Sequence, residues 1–152
     1  MEPGATIEAM PFQWLEIRIS EEQDRREREA ATLALLPEAV ADLNRQLKQC
    51  ISAYTAAFGQ ESADISFFAG KIRVTIREQK NGKWETTGKV EIVGVDTLPG
   101  FKVEKGEDAP MLIEVGLLPG EKLFYRLEEQ FLAGDDLTRR ILDRVLFPKL
   151  RE

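Results

Sequence analysis

A change of period at Gly59 constrains the fold more than any other feature of this chain. Ahead of it, Val40, Leu47 and Tyr54 recur every seven residues, as do Leu43, Cys50 and Ala57, and Ile51 and Phe58 widen the stripe. That spacing puts one broad apolar face on a helix from Pro37 to Phe58, with Gly59 as its C-terminal stop. After Gly59 the period drops to two. Ile72, Val74 and Ile76 alternate with Lys71, Arg73, Thr75 and Arg77, which is the pattern of a half-buried strand.

Upstream, the helical phase also takes in Leu33 and Leu36, on the far side of Pro37. A proline in a helix interior costs roughly 3 kcal/mol, and the residue before it avoids the helical region. The expectation is therefore a break, with Pro37 opening a new helix; one long kinked helix is the alternative. Ser20, followed by Gln23, has the form of a capping box. Glu21–Arg25, Glu22–Arg26 and Asp24–Arg28 are ion pairs at i,i+4, so this stretch reads as a solvated helix rather than a tether or binding arm. Before it, Leu15, Ile17 and Ile19 alternate with polar residues, behind Phe12 and Trp14, and predict a short strand able to join the sheet.

Register in the first hairpin follows from the buried face. A two-residue Asn81-Gly82 loop pairs positions summing to 163 and puts the apolar sets of the two strands on opposite faces. A three-residue loop, Lys80-Asn81-Gly82 with Gly82 left-handed, places Ile72 opposite Val90, Thr75 opposite Thr87, Arg77 opposite Glu85 and Glu78 opposite Trp84. The three-residue loop is expected, with Trp84 on the core side. Strands follow at Phe101–Val103, Met111–Val115 and Leu123–Leu127, the last also compatible with helical spacing through Phe131. Leu98-Pro99-Gly100 and Leu118-Pro119-Gly120 echo each other, as Pro-Gly turn chemistry does without a repeat. Asp135 or Asp136 caps a last helix with the stripe Leu137, Ile141, Leu142 and Val145, ending by Phe147 ahead of Pro148. The predicted whole is one α+β domain over 1–152: N-terminal helices packed on an antiparallel β-meander, closed by a C-terminal helix. Its parts are a strand or arm over 1–19, a helical segment over 20–58, a sheet over 64–127 and a helix over 135–147.

Composition narrows the chemistry. The 152 residues include no histidine and one cysteine, Cys50. There is thus no imidazole base, no Ser–His or Cys–His pair and no zinc cage. Cys50 falls on the apolar stripe, as a small core residue does. The net charge of −6 disfavours nucleic acid and anionic membranes. Met1 to Ile17 has three glutamates and no basic residue, unlike a secretory leader. No run is long enough to span a bilayer, and with a single thiol a cytoplasmic location is only the default expectation. Gly70-Lys71, Gly82-Lys83 and Gly88-Lys89 each lack the following Ser or Thr of a phosphate loop.

Basic residues dominate 71–89, but the hairpin register gives Lys71 and Arg77 acidic partners, so the face reads as solvated. Glu107-Asp108, Glu128-Glu129 and Asp135-Asp136 are adjacent acids, which on a strand point to opposite faces and make poor site partners. No catalytic, cofactor-binding or metal residue is assigned, and no cofactor is expected. The leading expectation is a non-enzymatic interaction, assembly or chaperone-like module, whose partner is another protein or a second copy through Leu33, Leu36, Val40 and Leu43. The alternative is an apolar-ligand domain with a pocket of Phe67, Phe68, Trp84 and Phe101. A carboxylate- or lysine-based enzyme comes third.

Overall fold

In the computed structural model, residues 12–97, 99–106, 108–120, 122–133 and 135–150 are described. The leader reading of Met1–Pro11, and Leu98 and Glu107 within their motifs, lie outside them. Among the described residues one helix, α1 (Gln13–Phe58), precedes seven strands and a short closing helix. The strands are β1 (Ala63–Phe68), β2 (Lys71–Lys80), β3 (Lys83–Val95), β4 (Gly100–Glu104), β5 (Met111–Leu118), β6 (Lys122–Leu127) and β7 (Gln130–Leu132), and the closing helix is α2 (Asp135–Leu146). All seven strands pair antiparallel in chain order. The fold is α+β: helix, meander, helix.

Two expectations for the N-terminal half are corrected. The segment Leu15–Ile19 is helix, not strand, and Ser20 caps nothing, since α1 has already started at Gln13. The alternation of three apolar residues is outweighed by its surroundings: no Gly, Pro or Asn interrupts Gln13–Leu36, and strong helix formers follow. Nor does Pro37 break the helix; it lies inside α1. Packing overrides propensity there. Thr32 and Leu36 before the proline, and Ala39 and Val40 after it, are all buried, while Pro37 itself is exposed, where water can serve the carbonyl left without an N–H partner. Gly59 ends the helix as expected, at φ 109°, its N–H donating to Thr55 O at 2.8 Å.

The hairpin register also differs. Asn81 (φ 53°) and Gly82 (φ 77°) form a two-residue loop between Lys80 and Lys83. Arg77 faces Thr86, Glu78 faces Glu85 and Gln79 faces Trp84. A bulge between Ile76 and Arg77 then shifts the ladder, so that Ile76 faces Gly88, Val74 faces Val90 and Ile72 faces Ile92. Thr87 is the extra residue. The requirement that Ile72, Val74, Ile76, Val90 and Ile92 share a buried face is met, by inserting a residue in the strand rather than in the loop. Beyond the bulge Trp84 pairs with Gln79, and its ring lies against Gly59 at the end of α1, outside the buried core cluster.

The ambiguous stretch after Glu121 is strand: β6 and β7 form a hairpin turned by Glu128 and Glu129, both left-handed (φ 49° and 69°). The two Pro-Gly pairs play unlike parts, since Gly100 opens β4 whereas Gly120 sits in a turn at φ 85°. α1 packs on β1, β3, β5 and α2. Its Leu36, Val40, Leu43, Leu47 and Ile51 meet Ile72, Val74, Val90, Ile92, Phe101, Val103 and Ile113 in the core, closed by Leu137, Ile141 and Leu142 of α2.

Candidate functional site

At 1.5 Å per residue, α1 is ~69 Å long, more than the sheet covers. Thr32 is its first buried residue, so 13–31 form an arm of ~28 Å. The phase occupied by Leu36, Val40, Leu43 and Leu47 over the sheet is taken by Glu29, Arg25, Glu22 and Arg18 on the arm. Those charges pair along the helix: Arg25 holds Glu22 at 2.9 Å and Glu29 at 2.8 Å, Arg26 holds Glu22 at 2.8 Å, and Arg18 reaches Glu21 at 3.4 Å. Of the three pairs read from spacing, Glu22–Arg26 forms. The Arg25 and Arg26 guanidiniums hold the Glu22 carboxyl down to about 2, and both carboxylates push Arg25 up.

Beyond the charged collar the helix turns apolar again. Phe12, Trp14, Leu15, Ile17 and Ile19 are 58, 65, 41, 54 and 48% exposed. At 100° per residue, Phe12, Leu15 and Ile19 lie on one side of the arm and Trp14 and Ile17 on the other. A tip apolar on both sides is fit for burial, not for solvation.

A groove of about 300 Å³ opens where α1 enters the body, between Leu33, Pro37 and Val40 on the helix and Phe67, Gly70 and Gly94 at the sheet. Leu33 is half-buried there and Phe67 is 42% exposed. At the other end of α1, Tyr54, Phe58, Trp84 and Phe147 line a hollow of about 420 Å³. Burial, with Glu78 nearby, raises the Tyr54 hydroxyl pKa. A hollow of about 640 Å³ lies between β7 and α2, where Arg139, Arg140 and Arg144 are mixed with Asp136 and Asp143, so both signs of charge line it. Nearby, Lys105 donates to Arg140 O at 2.8 Å, and burial, then the Arg140 charge, holds its amine below the usual lysine range. Among the described residues no three Cys, Asp or Glu side chains converge to hold a metal ion, and no helix is long and apolar enough to cross a membrane.

No family model matches this chain, and neither does any curated protein or solved structure.

The four aromatics expected to line one pocket are dispersed. Phe101 is fully buried in the core, Phe68 is 83% exposed beside the β1–β2 turn, Phe67 lines the groove and Trp84 lies against Gly59. Leu36, Val40 and Leu43, expected at an interface, are covered by this chain's own sheet, leaving Leu33 half-exposed. On the basic hairpin the two arginines take partners other than those read from spacing: Arg73 with Glu91 at 2.7 Å and Arg77 with Asp64 at 2.5 Å. Glu128-Glu129 make a turn, Asp135-Asp136 begin α2, and Cys50 packs half-buried against the core. Sequence reasoning missed the apolar tip. Its signal was present in the seven-residue series Phe12, Ile19, Arg26, Leu33, Val40, which runs through Pro37 without a change of phase.

Proposed function

We propose that this chain is a non-enzymatic interaction module whose docking element is the α1 arm, its partner being another protein or a second copy. The observation that carries the reading is the exposed apolar tip, Phe12 to Ile19, at the end of a ~28 Å helical arm that carries ion pairs of Glu22 and Glu29 with Arg25 along its length. An arm of this kind presents anchors to a groove, as amphipathic helices do to their receptors. The test is a photoreactive residue at Ile17 in the full chain, irradiated in cells. A discrete polypeptide adduct is expected; labelling by water alone overturns the reading.

A second reading, an apolar-ligand domain, draws on the groove at Leu33, Pro37 and Phe67, which is at the small end of ligand pockets. Native mass spectrometry that finds a retained small molecule, lost in Gly94→Phe, favours it over docking.

A further inference from the structure

We propose that two copies of this chain pair antiparallel through their α1 arms, each apolar tip lying in the groove of the other copy between α1 and the β1–β2 corner. The proposal rests on the reading of the arm as a docking element and adds the identity of its partner.

The seam is written in two seven-residue series. Phe12, Ile19, Arg26, Leu33 and Val40 form one, and Leu15, Glu22, Glu29 and Leu36 the other, three residues on. This is the a/d pattern of paired helices, apolar at both ends with a charged middle. In an antiparallel pair, facing positions have a constant sum. At a sum of 48, Leu15 meets Leu33 of the second copy, Phe12 comes level with Leu36 and Pro37, and Glu22 meets Arg26, each contact occurring twice. A shift of one heptad toward the tip sets Leu15 against Arg26 and Ile19 against Glu22. A shift the other way sets Glu22 against Leu33. At 48 Ile19 falls against Glu29, but this register alone gives Leu15 an apolar partner left open by the second copy's own sheet, Leu33, and gives Glu22 an arginine. The shift the other way matches Arg26 with Glu29 but turns Leu15 and Ile19 toward Val40 and Leu36, which are only 5% and 4% exposed.

The groove explains why the tip is apolar on both sides. It has two walls, Leu33 and Pro37 on the helix and Phe67 at the sheet. With Phe12, Leu15 and Ile19 against the first wall, Trp14 and Ile17 face the second, where Phe67 is left exposed. A covered aromatic removes ~150–250 Å² from water. Since roughly half of each ring is still open, Phe12, Trp14 and Phe67 of two copies supply about half of the ~1,000 Å² a specific contact needs. Leu15, Ile17, Ile19 and Leu33 make up the remainder. A lipid surface fits less well, because 12–31 carry six carboxylates against four arginines and repel anionic headgroups.

Sedimentation of the full chain at tens of micromolar should give twice 17.2 kDa. Leu15→Glu, at an exposed site, should keep the helical circular dichroism and raise the dissociation constant at least about a hundredfold, because it sets an unpaired charge against Leu33. Glu22→Arg and Arg26→Glu should each weaken self-association, and an equimolar mixture of the two variants should restore it. Leu15→Cys with Leu33→Cys should cross-link between copies on oxidation, because the two sites are ~27 Å apart within one helix. A single-chain mass for the unaltered protein overturns the proposal, as does a dimer untouched by Leu15→Glu. A monomer whose Ile17 position still forms a polypeptide adduct in cells overturns self-pairing alone and leaves the docking reading standing; a monomer with no adduct removes both.

Discussion

Two glycines show how differently one missing Cβ constrains this chain. Gly82 is left-handed in the Asn81-Gly82 loop with open space around it, so a side chain there strains only the backbone. Gly100 has an ordinary φ, but an added Cβ would collide with the carbonyl oxygen of Ile113, on backbone that is locked in the β4–β5 ladder. Gly82→Ala should therefore cost about 1 kcal/mol, and Gly100→Ala clearly more, with the difference read from urea unfolding midpoints at constant m-value. At this scale the sequence was partly legible. The left-handed Gly82 and the shared face of Ile72 to Ile92 followed from residue type and parity alone. The bulge at Thr87 did not, since an extra residue in a strand and an extra residue in a loop restore the same parity and nothing about Thr87 favours the first. The β6–β7 turn is harder still, because Glu128 and Glu129 are residue types seldom placed at positive φ.

Each half of α1 is held by different forces, and the two halves should fail under different conditions. Over the sheet it is held by burial, and on the arm by propensity and ion pairs. The arm's carboxylate Glu22 has its folded pKa lowered to about 2 by Arg25 and Arg26. A lowered pKa means that the contribution is complete above the ordinary carboxylate range and is lost as pH falls through it toward 2. Amide exchange across 13–31 should therefore quicken between pH 4.5 and 2, and salt should speed it at pH 7, because the pairs are exposed and screened. Amides of Leu43 to Ile51 should hold their protection through the same range. Pro37 marks the join. Pro37→Ala restores the hydrogen bond to the Leu33 carbonyl and should stabilise the protein by about 1–3 kcal/mol, seen as a rise in melting temperature. A loss of stability instead would show that the fixed φ of proline at 37 is needed for both halves to seat. The helix from Pro37 to Phe58, the strands at 101–103 and 111–115 and the closing helix were legible because period and breaker agreed. The arm was not, because Leu15, Ile17 and Ile19 satisfy a strand period and a helix at once, and only the run of helix formers downstream decides between them.

For the whole molecule, the arm and the body should separate cleanly in their energetics. Buried apolar residues begin at Leu36, so a chain lacking residues 1–31 should keep the unfolding free energy of the full protein to within about 1 kcal/mol, measured below the concentration at which arms pair. A larger loss would place hidden contacts between arm and sheet. Fold class was readable from period alone, but the order of elements was not, since the expected first strand at Leu15–Ile19 is helix and no break falls at Pro37. Nor was the candidate site, because it depends on how far the sheet reaches along the helix, a length that no local pattern states.

That reach also has a consequence in time. During synthesis α1 emerges first, with Leu36, Val40, Leu43, Leu47 and Ile51 in place and nothing to pack on. Its cover arrives from β1, β3 and β5 in turn, and the last of these ends at Leu118, sixty residues after Phe58. At ~5–20 residues per second, the stripe waits ~3–12 s beside whatever else is being made. The nascent protein is therefore most prone to misassociate while the ribosome is between Gly59 and Leu118, and slow codons there should lower the yield of folded chain more than the same codons placed after α2.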